Sequence, residues 1–143
     1  MTILDAYALI ALLADEPAAA DVEVLLGEGD VGISSVNLAE SLDVSRRTYG
    51  VSAHQVRSDL DPLVAQGQLA VVPATESIAR RAASVRGAHY RRRSLELSLA
   101  DCFLLATAAS GDRIATADPG VAEVAGKLGV DIAPLPDSLG HRP

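Results

Sequence analysis

The sequence predicts an α/β fold built on a parallel sheet. Short apolar runs alternate with longer amphipathic ones along nearly the whole chain, the pattern that βα units produce. Gly, Pro, Asp and Ser punctuate the joins between them. At 143 residues, with 49% hydrophobic and 22% charged residues, the chain has the length and composition of one globular domain. Folding at that size buries roughly 70% of the surface of the open chain, so a core without staples is feasible.

Taken in order, Thr2–Leu4 is a short aliphatic and β-branched run closed by Asp5, hence a strand. Residues 6–13 and 18–26 carry helical periodicity, the second opened by Pro17 near its first turn and closed by Gly27. Val31–Ser34 reads as the second strand. Residues 36–49 and 53–66 follow as helices ending at Gly50 and Gly67, with no strand between them. They are therefore expected to project as a helical hairpin. Leu69–Val72 is the third strand, and 76–90 and 99–110 are helices joined by a basic, then mixed link. Arg113–Thr116 is the fourth strand, Pro119 opens a helix over 121–128 that ends at Gly129, and 131–133 is the last strand. The tail from Pro134 has three prolines, a glycine and no periodicity, so it is expected to lie over the surface. One domain over residues 1–133 with a tail over 134–143 is the expected organisation.

The single Cys102 excludes an intramolecular disulfide and points to a reducing compartment. No apolar run reaches the ~18–20 residues of a membrane span, and Asp5 interrupts the first apolar stretch, which lacks a basic leader. A cytoplasmic protein without membrane contact is the expectation. Twelve basic against nineteen acidic residues give a net charge of −7, the wrong sign for wrapping nucleic acid by bulk charge. A nuclease that gathers carboxylates around cations remains compatible with that balance. Aromatics make up 3%, so an aromatic platform for stacking bases is not expected.

The informative residues are carboxylates where the pattern calls for apolar side chains. Asp101 is the only charge between Leu97 and Ser110, among Leu99, Phe103, Leu104 and Leu105. It either faces a cleft or bonds to free amides at a helix start. Glu40 shares a helical stripe with Val36 and Val44, although Asn37 to Glu40 also fits a capping box. Asp5 and Asp118 each follow a strand, where α/β sheets place ligands, and each also fits a helix N-cap. If the strands are neighbours, all four converge on one sheet edge. Such a group repels itself without a counterion, and oxygen-only donors suit Mg²⁺ or Mn²⁺. That is an arrangement for metal-assisted phosphodiester hydrolysis, in which the Thr116 hydroxyl would join the water or substrate network. Arg91, Arg92 and Arg93 have two readings, phosphate contacts beside the carboxylates or cations at a solvated helix end. His54, His89 and His141 lack ligand spacing and read as surface residues, and Cys102 as a small apolar filler.

At this point the residues resemble a known family. Ile3-Leu4-Asp5-Ala6 with Leu9, then Ile33 to Glu40, then Leu97-Ser98-Leu99-Ala100-Asp101-Cys102 with Ala106 and Ala108, and finally Ile114-Ala115-Thr116-Ala117-Asp118 look like the four motifs of PIN-domain ribonucleases. The closest likeness is to the VapC toxins of type II toxin–antitoxin systems. The resemblance implies a three-layer α/β/α sandwich around a parallel sheet and Mg²⁺- or Mn²⁺-dependent endoribonuclease activity. It implies that Asp5, Glu40, Asp101 and Asp118 hold metal, and that the substrate is a structured RNA such as transfer or ribosomal RNA. It also implies a homodimer and a cognate antitoxin that grips the helices over residues 36–66. A PIN-fold module that binds RNA or protein without cleaving is the alternative. Phosphate-accepting signalling domains and haloacid-type phosphohydrolases fit poorly, because Asp5 is followed by Ala6 and Tyr7 and the only lysine is Lys127.

Overall fold

In the computed structural model, which describes residues 1–91 and 95–143, five strands pair side by side. They are β1 (Thr2–Leu4), β2 (Val31–Ser34), β3 (Leu69–Val72), β4 (Arg113–Thr116) and β5 (Asp131–Pro134), in the order β3-β2-β1-β4-β5. All the pairings are parallel. Leu4 lies level with Ile33 on one side and Ala115 on the other, so the carboxyl ends of β1, β2 and β4 finish together. That register sets up the site.

Around the sheet lie α1 (Ala6–Ala14), α2 (Ala19–Glu28), α3 (Ser35–Tyr49), α4 (Ala53–Ala65), α5 (Glu76–His89), α6 (Leu99–Thr107) and α7 (Pro119–Leu128). Alternation along the strands builds two cores. Leu4, Val31, Ile33 and Ala115 join Leu9, Val22, Leu26 and Leu60 from α1, α2 and α4. Ile3 and Ile114 join Ile78, Ala82, Leu104, Val121 and Val124 from α5, α6 and α7. The result is the expected α/β/α sandwich. Among the described residues no helix is long and apolar enough to cross a membrane.

The structure departs from the sequence reading in four places. α2 runs through Gly27 to Glu28 and is capped by Gly29 at φ 84°. An exposed glycine in a last turn weakens a helix without ending it. α6 stops at Thr107, because Ala108 is extended (ψ 133°). α3 and α4 do not project as a hairpin: α3 packs on α1 and α6, and α4 on α1 and β3. The cause is apolar, since Leu38, Leu42, Val51 and Leu60 all reach the core beneath α1.

The fourth departure is the tail. Just after the exposed Pro134 the chain turns inward: Leu135 is 1% exposed, and its amide donates to the Thr116 carbonyl at 2.9 Å. Pro136 is also buried, and Arg142 pairs with Asp21 of α2 at 3.0 Å. The tail therefore straps the carboxyl edge of the sheet. Truncating Leu135 to Ala is expected to cost about 2–5 kcal/mol in urea unfolding, as buried leucines do. Leu139→Ala, at a side chain left 79% exposed, should leave the midpoint unchanged.

Candidate metal centre at the carboxyl edge of the sheet

Asp5 follows β1 and caps α1. Its Oδ1 accepts from the Ala6 amide at 2.6 Å, and its Oδ2 accepts from the Thr116 hydroxyl at 2.5 Å. The Thr116 oxygen in turn accepts from the Asp118 amide at 3.0 Å. A relay of hydrogen bonds thus fixes Asp5 relative to the start of α7. Asp5 is buried, and burial, with the charges of Asp101 and Asp118 adding to it, raises its carboxyl to about 7 despite the bonds from Thr116 and Ala6.

Asp118 is the N-cap of α7, with Pro119 in the first turn, and its Oδ1 accepts from Gly120 at 2.6 Å and Val121 at 3.1 Å. Asp101 is the third residue of α6 and completes a capping box with Ser98. Its Oδ2 accepts from the Ser98 amide at 2.7 Å, and its own amide donates to the Ser98 hydroxyl at 3.0 Å. The capping and functional readings of these two aspartates are therefore compatible. Each cap uses one carboxylate oxygen, and among the described residues the other oxygen has no hydrogen-bond donor.

Two further bonds hold the start of α6 in place. Arg86 Nη1 donates to the Leu97 carbonyl at 2.7 Å, and Asn37 Nδ2 from α3 donates to the Ala100 carbonyl at 3.3 Å. Asn37 is fully buried inside α3 and does not cap it, since Ser34 takes that role through the Val36 amide at 3.2 Å. The capping-box reading of Glu40 therefore fails. Glu40 is half-buried, and burial, followed by the Asp101 charge, raises its carboxyl.

Asp5, Glu40, Asp101 and Asp118 line one cleft of about 490 Å³, together with Tyr7, Ile10, Val44, Tyr49, Ala117, Pro119, Asp137 and Ser138. Among the described residues that line it there is no Arg or Lys. No three acidic, His or Cys side chains among the described residues form a ready-made ligand group. The donor set nevertheless fits a hard divalent cation. The four donors are all carboxylates, and burial, with the neighbouring carboxylate charges adding to it, raises Asp5 and Glu40, a cost that a cation would relieve.

Other residues read from the sequence stand elsewhere. Thr116 is fully buried and does not line the cleft, and its hydroxyl reaches the cleft only through its bond to Asp5. Thr116→Val would leave Asp5 Oδ2 and the Asp118 amide without their partner. The expected loss is about 1–3 kcal/mol of stability, read by denaturant unfolding. Arg91 is exposed, and its Nη1 donates to the Ala88 and Tyr90 carbonyls at 3.1 and 2.9 Å, which matches the helix-end reading. Arg92 and Arg93 lie outside the described residues. Tyr7, Tyr49, Asp137 and Ser138 are cleft residues that sequence reasoning missed. Tyr7 had one available signal, being the only polar side chain in α1. Its hydroxyl oxygen is buried without a hydrogen-bond partner among the described residues.

A parallel sheet carrying an acidic cleft at its carboxyl edge defines an α/β domain that places its ligand site at the strand ends. The PIN domain family model matches residues 2–127, and the chain belongs to that family. The fold is similar to the crystal structure of FitAcB from Neisseria gonorrhoeae, at 25% identity and TM-score 0.65, covering 92% of this chain and 96% of that one. It is also similar to VapBC2 from Rickettsia felis bound to a DNA fragment from its promoter, at 16% identity and TM-score 0.66, with 92% and 96% covered. A toxin–antitoxin complex from Klebsiella pneumoniae matches at 21% identity and TM-score 0.57, covering 84% and 94%. The last two likenesses show the fold alone. No curated protein sequence matches the chain.

Proposed function

We propose that the protein is a divalent-cation-dependent endoribonuclease that acts as the toxin of a toxin–antitoxin pair. One observation carries the reading. Five carboxylates, Asp5, Glu40, Asp101 and Asp118 with Asp137 of the tail, line one cleft that has no basic residue among its described lining, so a phosphodiester can approach only if a cation intervenes. Asp5, Glu40, Asp101 and Asp118 would hold Mg²⁺, or Mn²⁺ in its place. When bound, such an ion activates water and offsets the charge of the phosphate and of the leaving 3′ oxygen.

The chain's own residues set the geometry for that chemistry. Asp5 is the deepest carboxylate, and Thr116 fixes one of its oxygens. With its carboxyl raised to about 7, Asp5 carries a proton in a sizeable fraction of cation-free molecules near neutral pH. Asp5 would give up that proton on taking a cation. Asp101 and Asp118 are held by their helix caps, each with a second oxygen left over. Glu40 faces Asp101 across the α3–α6 contact that Asn37 ties together.

The partner reading rests on the family and on the relatives. FitAcB from Neisseria gonorrhoeae matches nearly end to end. A cognate antitoxin, a homodimer and a structured RNA substrate such as transfer or ribosomal RNA belong to the same reading. The surface of α3 and α4 is the proposed antitoxin contact.

The test is incubation of antitoxin-free protein with total bacterial RNA in Mg²⁺, Mn²⁺ or EDTA, with new ends mapped by sequencing. Discrete cuts that EDTA abolishes are expected. RNA retained by the protein but left uncut in every metal would replace this reading with that of a binding module. Co-expression with the small open reading frame beside the gene should yield a stable complex.

A further inference from the structure

The cleft extends well beyond its carboxylates. From Glu40 its wall runs along α3 through Val44 to Tyr49, about 14 Å further along the helix axis at ~1.5 Å per residue. On the facing side it runs along α1 from Ala6 through Tyr7 to Ile10. The two helices are tied at their acidic end, where the Ser41 hydroxyl of α3 donates to the Ala6 carbonyl of α1 at 3.1 Å. The chain has three Tyr, one Phe and no Trp, and two of these four aromatics line this one cleft. A low aromatic content therefore coexists with local concentration.

The chemistry of the wall is specific. Ile10, Val44, Ala117 and Pro119 add apolar surface beside the rings. The Tyr7 hydroxyl is buried and has no partner among the described residues, so its donor and acceptor are left for a group that packs into the wall beside it. At about 490 Å³ the cleft lies within the ~300–1,000 Å³ range of small-molecule sites. Aromatic faces joined to an unsatisfied polar group are what an unstacked base requires.

We propose that Tyr7 and Tyr49 form a nucleobase subsite next to the carboxylates. It receives the unstacked base of the nucleotide whose phosphate is held there, stacked on tyrosine, with its polar edge bonded to the Tyr7 hydroxyl. The inference rests on the nuclease reading of the carboxylates and adds that the substrate is read as a single-stranded or flipped nucleotide.

The test is calorimetric titration of the full chain, in Mg²⁺, with the four nucleoside 5′-monophosphates and with ribose 5-phosphate, which lacks a base. At least one nucleotide should bind about ten-fold tighter than ribose 5-phosphate, the scale of one base–aromatic stack. Tyr49→Leu should bring the two to parity, and Tyr49→Phe should restore the difference. Tyr7→Phe should level the preference among bases while retaining the gain over ribose 5-phosphate. Circular dichroism would establish that each variant is folded. Mg²⁺-dependent but equal binding of all five ligands by the parent would overturn the subsite and leave the nuclease reading standing. So would a nucleotide preference that survives Tyr49→Leu. Binding of none of the five would overturn both.

Discussion

Asp101→Asn is expected to lower metal-dependent RNA cleavage by at least about 100-fold while leaving the fold intact. Changing a group that merely supports a metal ligand typically costs about 10–100-fold, so removing a ligand's charge should cost no less. The fold should survive because the capping box depends on an acceptor at this position, and the charge is dispensable there. The amide oxygen of Asn can still accept from the Ser98 amide that Asp101 Oδ2 now holds at 2.7 Å. Single-turnover cleavage and thermal unfolding, measured on the same samples, separate the two effects. Parent-like cleavage by a folded variant would remove Asp101 from the site.

The second large effect is on stability and its pH dependence. Asp5 titrates near 7 in the folded chain against an ordinary value of 3.8, so the folded state holds this proton more tightly than the unfolded chain does. The stabilisation from protonating Asp5 is complete below about pH 4 and is lost as the pH rises through about 7. Glu40 is raised as well and acts in the same direction. In EDTA the parent should therefore unfold at a higher temperature at pH 5.5 than at pH 8, with a difference on the order of a few kcal/mol at most. Asp5→Asn removes the charge and keeps an oxygen for the Ala6 amide, so it should flatten most of that slope. Adding Mg²⁺ at pH 8 should raise the melting temperature of the parent and leave Asp5→Asn unmoved. An unchanged pH profile in the variant would place the titrating group elsewhere.

The sheet was legible because its signals are local. The bounds of β1, β2, β3 and β4 follow from short β-branched runs between breakers, and β5 gains only Pro134. Helix ends were less legible where two local signals competed. Gly27 looked like a stop and proved a tolerated last-turn residue, and Asn37 looked like a cap although Ser34 already served. The placement of α4 and of Leu135 depends on which apolar side chain finds the core, and periodicity does not encode that.

The candidate site follows the same division. Asp101 and Glu40 stood out as charges on apolar stripes, and Asp5 and Asp118 as acids just after strands. Their convergence needed the strand order, which brings β1 between β2 and β4. The bond from Thr116 to Asp5 could not be read in advance, since the relay from the Asp118 amide through Thr116 to Asp5 spans 111 residues of sequence between its last two members. Tyr49 sits beside a helix-ending glycine and Asp137 in a proline-rich tail, and neither segment has a period that would mark a cleft wall.

The most direct test of the carboxylate cleft as a cation site is calorimetric titration of Mn²⁺ into the metal-free protein at pH 7.5, beside Asp5→Asn and Asp101→Asn. Saturable binding accompanied by proton release is predicted for the parent, with affinity reduced at least about 100-fold in each variant. Mn²⁺ binding of equal affinity in all three proteins would contradict the assignment of the cation to these carboxylates.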